Sequence, residues 1–217
     1  VDPEGAIEKF CRQIVITTAP FCSAFKPQVA MFSSIGCEHI LEKLSTWIVT
    51  NFPNHILIID GKRGDIGNTA EHYAVEVFEK YNAHATTVNP YMGRDCLNSF
   101  LNRKDKGVFI LCRTSNPSAS EIQNLELKNG SFLFEKVAEI AKDLWKSNQQ
   151  VGLVIGATAM EELKKIKKIA PLLPMLIPGV GSQGGFIEQV IPEIKEKNNV
   201  LINVSRSIIY SSMESNW

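Results

Sequence analysis

The sequence lacks an excess of charge of either sign. Its 23 Lys and Arg residues are matched by 23 Asp and Glu residues, so no summed basic field exists to hold nucleic acid or an anionic membrane. Any anion it binds must be gripped locally. Long hydrophobic runs are also missing: no stretch approaches the ~18 apolar residues of a membrane span. Val1 to Glu8 carry neither a basic flank nor an apolar stretch of the signal-peptide kind. A soluble, cytoplasmic protein is expected. Cysteine is sparse and unpatterned. Cys11, Cys22, Cys37, Cys96 and Cys112 are odd in number, widely spaced and without a CxxC, and only His39 lies near any of them in sequence. A disulfide framework or zinc site is not expected; reduced thiols acting as small hydrophobes are. Linkers, fixed-period repeats and low-complexity tracts are absent too, so 217 residues with 44% hydrophobic content read as a single domain over residues 1–217.

What is present is an alternation. Seven short runs rich in β-branched and apolar residues predict strands: Ala24 to Phe32, His55 to Asp60, Ala85 to Asn89, Gly107 to Cys112, Val151 to Ile155, Met175 to Ile177 and Val200 to Val204. Between them, apolar residues three or four apart predict helices over Gly36 to Asn51, Ala70 to Tyr81, Gly130 to Ser147 and Ala159 to Ile169. Gln13 to Thr18 has strand propensity, but Ile7, Phe10, Cys11, Ile14 and Val15 also fit one helical stripe, and helix is preferred. Phe132, Phe134, Trp145 and Met160 read as core packing. The stretch from Arg113 to Gly130 reads as a long loop. Such βαβ repetition means a parallel sheet, either a (β/α)₈ barrel or an open doubly wound sheet. Reactive or ligand-gripping residues stand at nearly every strand end: Lys26 and Gln28, Asp60 and Lys62, Asn89, Arg113 to Asn116, Pro178 to Gly181, Ser205 and Arg206. Contributions from many strand ends favour the barrel.

Two clusters carry chemistry. In Asp60-Gly61-Lys62-Arg63-Gly64-Asp65, Asp60 and Lys62 are two apart at a strand end, so extended backbone would project both to the same side. A structural ion pair, with Asp65 capping the next helix, is the plain alternative. In the second, Pro178-Gly179-Val180-Gly181-Ser182-Gln183-Gly184-Gly185 follows one strand and Ser205-Arg206 the next. Glycine N–H groups and an arginine make a local anion clamp where barrels often hold phosphate, unless the loop is merely flexible and the arginine superficial.

The runs AFKPQVAMF, LIIDGKRGDIGNTAEHYA, VNPYMGRD, LCRTSNPSASEIQNL, VIGAT, LIPGVGSQGG and NVSRSI together resemble the orotidine 5′-monophosphate decarboxylases, most closely the branch carrying FKPQ and DxKRGDIGNTA. The resemblance runs in family order from about residue 1 to 210. It implies a cofactor-independent, metal-free (β/α)₈ barrel acting as a homodimer, which converts orotidine 5′-monophosphate to uridine 5′-monophosphate and carbon dioxide in pyrimidine biosynthesis. It further implies that Lys62 delivers a proton to carbon six of the pyrimidine, with Asp60 holding Lys62 and crowding the substrate carboxylate. Asp65 would reach into the partner's site and complete a charged network with Lys26, and Ile66 and Thr69 would serve the partner as well. Asp2 would contact the ribose, Ser115 the pyrimidine, Gln183 and Arg206 the phosphate, and Pro178 would line the apolar side. Gln28 and Asn68 are further network candidates.

Against the family pattern, the sequence departs at both ends. Val1-Asp2-Pro3 stands where several more residues of first strand are usual, and Met213 to Trp217 leave little room for a closing helix. The expectation is a barrel with its first strand and last helix incomplete, as in a piece of a longer chain. Rival readings are a magnesium-dependent phosphosugar barrel of the hexulose-phosphate synthase or ketogulonate-phosphate decarboxylase type, and a catalytically silent nucleotide-binding protein. The continuation IGNT after Asp65 and the Ser115 and Gln183 loops favour the nucleotide decarboxylase over the first. The intact Asp60, Lys62 and Asp65 argue against the second.

Overall fold

Proline marks the start of the first helix. In the computed structural model, which describes residues 2–181, 183–194 and 199–212, helix α1 spans Pro3–Thr18 with Pro3 in the first turn, where a missing N–H costs nothing. The Gln13 to Thr18 run is therefore helical, and Val15 from its apolar stripe is buried. Val1, Ser182 and the terminal residues Met213 to Trp217 lie outside the described residues.

The chain divides into two units, the first ending at Val108. In it, strand β1 covers only Ala24–Phe25, not the whole run to Phe32. Pro27 cannot donate to a ladder, and Gln28 then caps helix α2 (Val29–Ser33), its Oε1 accepting from the Ala30 N–H at 3.2 Å. Val29 and Phe32, three apart, are the buried residues of that helix, so apolar spacing that passed for a strand serves a single helical turn. Helix α3 (Glu38–Asn51) buries Ile40, Leu41, Leu44 and Ile48. Strand β2 runs from Ile56 to Arg63, three residues past the expected end. Helix α4 (Gly67–Val75) continues as a π-helical turn over Glu76–Lys80. The fully buried β3 (Ala85–Val88) follows, then helix α5 (Asp95–Leu101), which periodicity had not marked. Strand β4 (Gly107–Arg113) begins here, its Gly107 N–H donating to the His84 carbonyl at 2.9 Å. β1 pairs in parallel with β2, and β2 with β3.

In the second unit the end of β4 joins its neighbour through the Gly156 N–H and the Arg113 carbonyl, 2.7 Å apart. The stretch read as a loop holds a 3₁₀ turn at Pro117–Ala119 and the short helix α6 (Ser120–Gln123). Helix α7 (Leu133–Asn148) begins where Glu135 Oε2 accepts from the Phe132 N–H at 2.8 Å, and ends at Gln149 in the left-handed region. Phe134 is buried as expected, whereas Phe132, Trp145 and Met160 are only half-buried. Strand β5 (Val151–Ile155) is buried on both faces, as parallel strands under helices are. Helix α8 (Met160–Ile169), strand β6 (Met175–Pro178), helix α9 (Ile187–Ile194), strand β7 (Val200–Asn203) and the short helix α10 (Arg206–Ile209) complete it. β5 pairs in parallel with β6, and β6 with β7.

Seven strands among the described residues, each hydrogen-bonded to the next in chain order and joined through helices, follow the strand order of a (β/α) barrel. All five cysteines are free thiols; Cys37, Cys96 and Cys112 are buried, Cys11 and Cys22 half-buried.

Candidate active site

The first unit gathers its charged residues at the end of β2. Asp60 is the last buried residue of that strand, only 5% exposed. Lys26, one residue past β1, reaches its Oδ2 at 2.5 Å, and Lys62 reaches its Oδ1 at 2.7 Å. Burial alone would raise the Asp60 carboxyl, but the charge and hydrogen bond of Lys26, followed by those of Lys62, outweigh it and hold the group below the ordinary carboxylate value. One carboxylate between two ammoniums leaves a net single positive charge. The two lysines differ in access, with 13% of the Lys26 side chain exposed against 44% of Lys62.

Asp60 and Lys62 meet, though not by simple alternation along an extended strand. The β2–β3 register runs Ile59↔Thr86 and then Arg63↔Val88, four steps on one strand against two on the other. Asp60, Gly61 and Lys62 thus bulge opposite the single residue Thr87, and Lys62 takes a left-handed backbone, φ +46°. Bulges re-aim side chains in this way, and a non-glycine residue there costs on the order of 1–3 kcal/mol. Thr87, 1% exposed, donates its hydroxyl to Asp60 Oδ1 at 2.8 Å and accepts from the Lys62 N–H at 3.0 Å. Sequence reasoning passed over this residue: two adjacent threonines fit a strand on propensity alone, and nothing in their type set Thr87 apart from Thr86.

Past the bulge, Arg63 grips Glu76 with Nη2–Oε1 2.9 Å and Nε–Oε2 3.1 Å, and its guanidinium lies 4.7 Å from the Tyr73 ring centroid. This ties the end of β2 to the helix behind it. Asp65 does not cap that helix through its second or third residue; its Oδ1 accepts from the adjacent Ile66 N–H at 2.8 Å. Among the described residues, Asp65 makes no hydrogen bond or ion pair to Lys26, Asp60 or Lys62 of its own chain. Ile66, Asn68 and Thr69 are exposed. The Gln28 side chain is spent on the α2 cap, although its backbone bridges Asp60. Asp2 is exposed directly ahead of α1, its side chain against Gly5 in the first turn and making no capping hydrogen bond.

The second unit brings together the other set. Ser115, past β4, donates its hydroxyl to Gln183 Oε1 at 2.9 Å across 68 residues of sequence. Pro178, half-buried, ends β6. The glycine run behind it folds back on itself: the Gly181 N–H donates to the Gly185 carbonyl at 2.9 Å and the Gly185 N–H to the Gly179 carbonyl at 3.0 Å. Gly181 takes a left-handed backbone, φ +80°, against the Ser207 side chain, which sets the turn beside the segment carrying Arg206. Arg206 is exposed at the start of α10. The Ser115 loop is braced from behind. Arg113 binds Glu162 at 3.1 Å, and Gln123 Oε1 accepts from the Thr114 N–H at 2.8 Å. Among the described residues, no three His, Cys, Asp or Glu side chains group as metal ligands would.

The model of the orotidine 5′-phosphate decarboxylase / HUMPS family matches residues 6–215. The chain belongs to that family. Within it, the orotidine 5′-phosphate decarboxylases of Ralstonia pickettii and Cupriavidus metallidurans are 48% and 47% identical over 215 residues, 98% of this chain and 79% of theirs. Among solved structures, the orotidine 5′-phosphate decarboxylase of Leishmania donovani superposes with a TM-score of 0.88 at 34% identity, over 96% of this chain and 82% of that one. The UMP synthase of the same organism gives 0.89 at 36% identity, over 96% of this chain and 47% of that one. The enzyme from Methanocaldococcus jannaschii, solved with the inhibitor BMP, gives 0.75 at 28% identity, over 95% and 87%. The fold is the family's (β/α) barrel, as the strand order indicated.

Proposed function

We propose that the chain decarboxylates orotidine 5′-monophosphate to uridine 5′-monophosphate, with Lys62 as the proton donor. The observation that carries this reading is the Lys26–Asp60–Lys62 cluster, in which Lys62 Nζ is held 2.7 Å from a buried carboxylate, in a chain matched by the family model over residues 6–215. Loss of carbon dioxide from the pyrimidine leaves an electron pair in the plane of the ring, with no π-system to spread it. An ammonium already fixed at that place stabilises the growing charge and then quenches it by proton transfer, with little reorganisation at the moment of reaction. Asp60 keeps the donor placed.

In this reading Ser115 addresses the pyrimidine, Pro178 the apolar side of the ligand, Gln183 and Arg206 the phosphate, and Asp2 the ribose. Binding energy from a phosphate remote from the reacting carbon is then available to hold a strained arrangement there. The chain acts as a homodimer and as one catalytic domain, with Asp65, Ile66 and Thr69 serving the partner's site. The exposure of Ile66 and Thr69 and the lack of an ion pair, among the described residues, between Asp65 and its own lysines support that assignment. The deciding experiment follows the ultraviolet change of orotidine 5′-monophosphate on incubation with the purified protein, with and without a metal chelator. Turnover indifferent to chelator is expected. Activity lost with chelator would transfer the chain to the magnesium-dependent phosphosugar barrels.

A further inference from the structure

We propose that Thr87 is a positioning residue for the proton donor, its one hydroxyl fixing both the carboxylate that holds Lys62 Nζ and the backbone from which Lys62 projects. The inference rests on the assignment of Lys62 as the donor. Two threonines stand side by side on β3, and their hydroxyls do different things. Thr86 donates to the Ile59 carbonyl at 2.8 Å, a routine way to satisfy a buried hydroxyl. The Thr87 hydroxyl instead donates to Asp60 Oδ1 at 2.8 Å and accepts from the Lys62 N–H at 3.0 Å. The Asp60 oxygen it reaches is the same one that Lys62 Nζ binds at 2.7 Å. Hydroxyl, carboxylate oxygen, ammonium and amide of Lys62 therefore close a ring, pinning the lysine at both ends of its side chain.

The bulge explains the need for such a pin. With four steps of β2 set against two of β3, the Lys62 N–H points at a side chain, and the hydroxyl supplies its acceptor. A left-handed backbone at a non-glycine residue persists only where its surroundings over-determine it. The reaction adds a second demand. When Lys62 gives up its proton, its grip on Asp60 weakens, while Thr87 on Oδ1 and Lys26 on Oδ2 keep the carboxylate charged and in place, ready for the next ammonium.

The test compares Thr87→Val, which keeps the shape and loses the hydroxyl, Thr87→Cys, whose thiol is a weak donor, and Thr87→Ser, which keeps the hydroxyl and loses the methyl. For Val and Cys, kcat for orotidine 5′-monophosphate should fall by about tenfold or more with KM changed by less than about threefold, since misplacing a reacting group costs rate more than binding. Ser should restore kcat. A Val or Cys variant with wild-type kcat, or a Ser variant as slow as either, overturns the proposal. A second measurement needs no substrate: titration of the Asp60 carboxyl by carbon-13 NMR. Losing a donor to the charged form raises a carboxyl pKa, so Asp60 should titrate higher in Val and Cys than in wild type and Ser. No difference among the four overturns the proposal whether or not the protein decarboxylates. Absence of turnover by the wild type falls on the functional reading alone.

Discussion

Gly156 lies directly against Ser115: a Cβ built on the glycine would stand 2.7 Å from both Ser115 Cα and N. Backbone cannot yield as a flexible side-chain tip does, so Gly156→Ala must displace the loop that presents Ser115. Stability should drop by about 1–3 kcal/mol, as in other overpacked sites, and KM should rise more than kcat falls. The urea midpoint and the steady-state constants check both halves; unchanged KM would show that Ser115 does not meet the substrate.

Removing the ammonium separates chemistry from binding. Lys62→Ala should abolish decarboxylation while leaving affinity for uridine 5′-monophosphate within about tenfold, or roughly 1.4 kcal/mol. Calorimetric titration with the nucleotide, alongside the turnover assay, measures the two quantities, and retained turnover would end the proton-donor assignment.

Arg206→Ala should act on the phosphate alone. Binding of uridine 5′-monophosphate should weaken strongly, and binding of uridine should not. Equal losses for nucleotide and nucleoside would show that the exposed guanidinium at the start of α10 has been given the wrong ligand.

The proposed dimer makes a prediction that no single-chain reading shares. Lys62→Ala and Asp65→Ala chains should each be inactive alone, yet regain activity when unfolded together and refolded as a mixture. A mixed dimer has one site with Lys62 from one chain and Asp65 from the other. No recovery in a mixture shown to dimerise would place Asp65 in its own chain's site or outside catalysis.

Stability should fall in mild acid because of His84. Its Nδ1 accepts from the Leu57 N–H at 2.9 Å, and burial, helped by the charge of Lys106, holds the imidazole below its ordinary value. The folded pKa is thus lower than the unfolded one of about 6.5. The unfolded chain takes up the proton first, so the contribution is complete above that pH and lost as pH falls through the folded value. Urea midpoints should decline below about pH 6.5 in the wild type. In His84→Asn, whose amide oxygen can accept the same N–H without titrating, the decline should be smaller. Equal declines would remove His84 from the account.

Strand number and order were legible in the sequence because parallel strands buried on both faces read as short apolar runs, and Val151–Ile155 matches its expected bounds. Where reading failed, a local interaction outweighed composition. The run from Ala24 to Phe32 is apolar enough for a strand, but Pro27 and the Gln28 cap divert it into a helical turn. Helix α5 is seven residues long, too short for periodicity to stand out.

The site divides along the same line. Asp60 and Lys62 announced themselves by residue type and position at a strand end, and Ser115 and Gln183 by the family resemblance of their loops; the structure pairs Asp60 with Lys62 and Ser115 with Gln183. Thr87 and Gly156 did not. A buried hydroxyl and a glycine pressed on a neighbouring backbone matter through distances, and distances between segments far apart in sequence are not written in either residue's type.

The unequal access of the two lysines has a consequence for the catalytic cycle. Lys26, with 13% of its side chain exposed, is the less accessible of the two partners of Asp60. As the proposed proton donor, Lys62 has 44% of its side chain open to solvent, so bulk water can reach it directly to return the proton that a turnover removes.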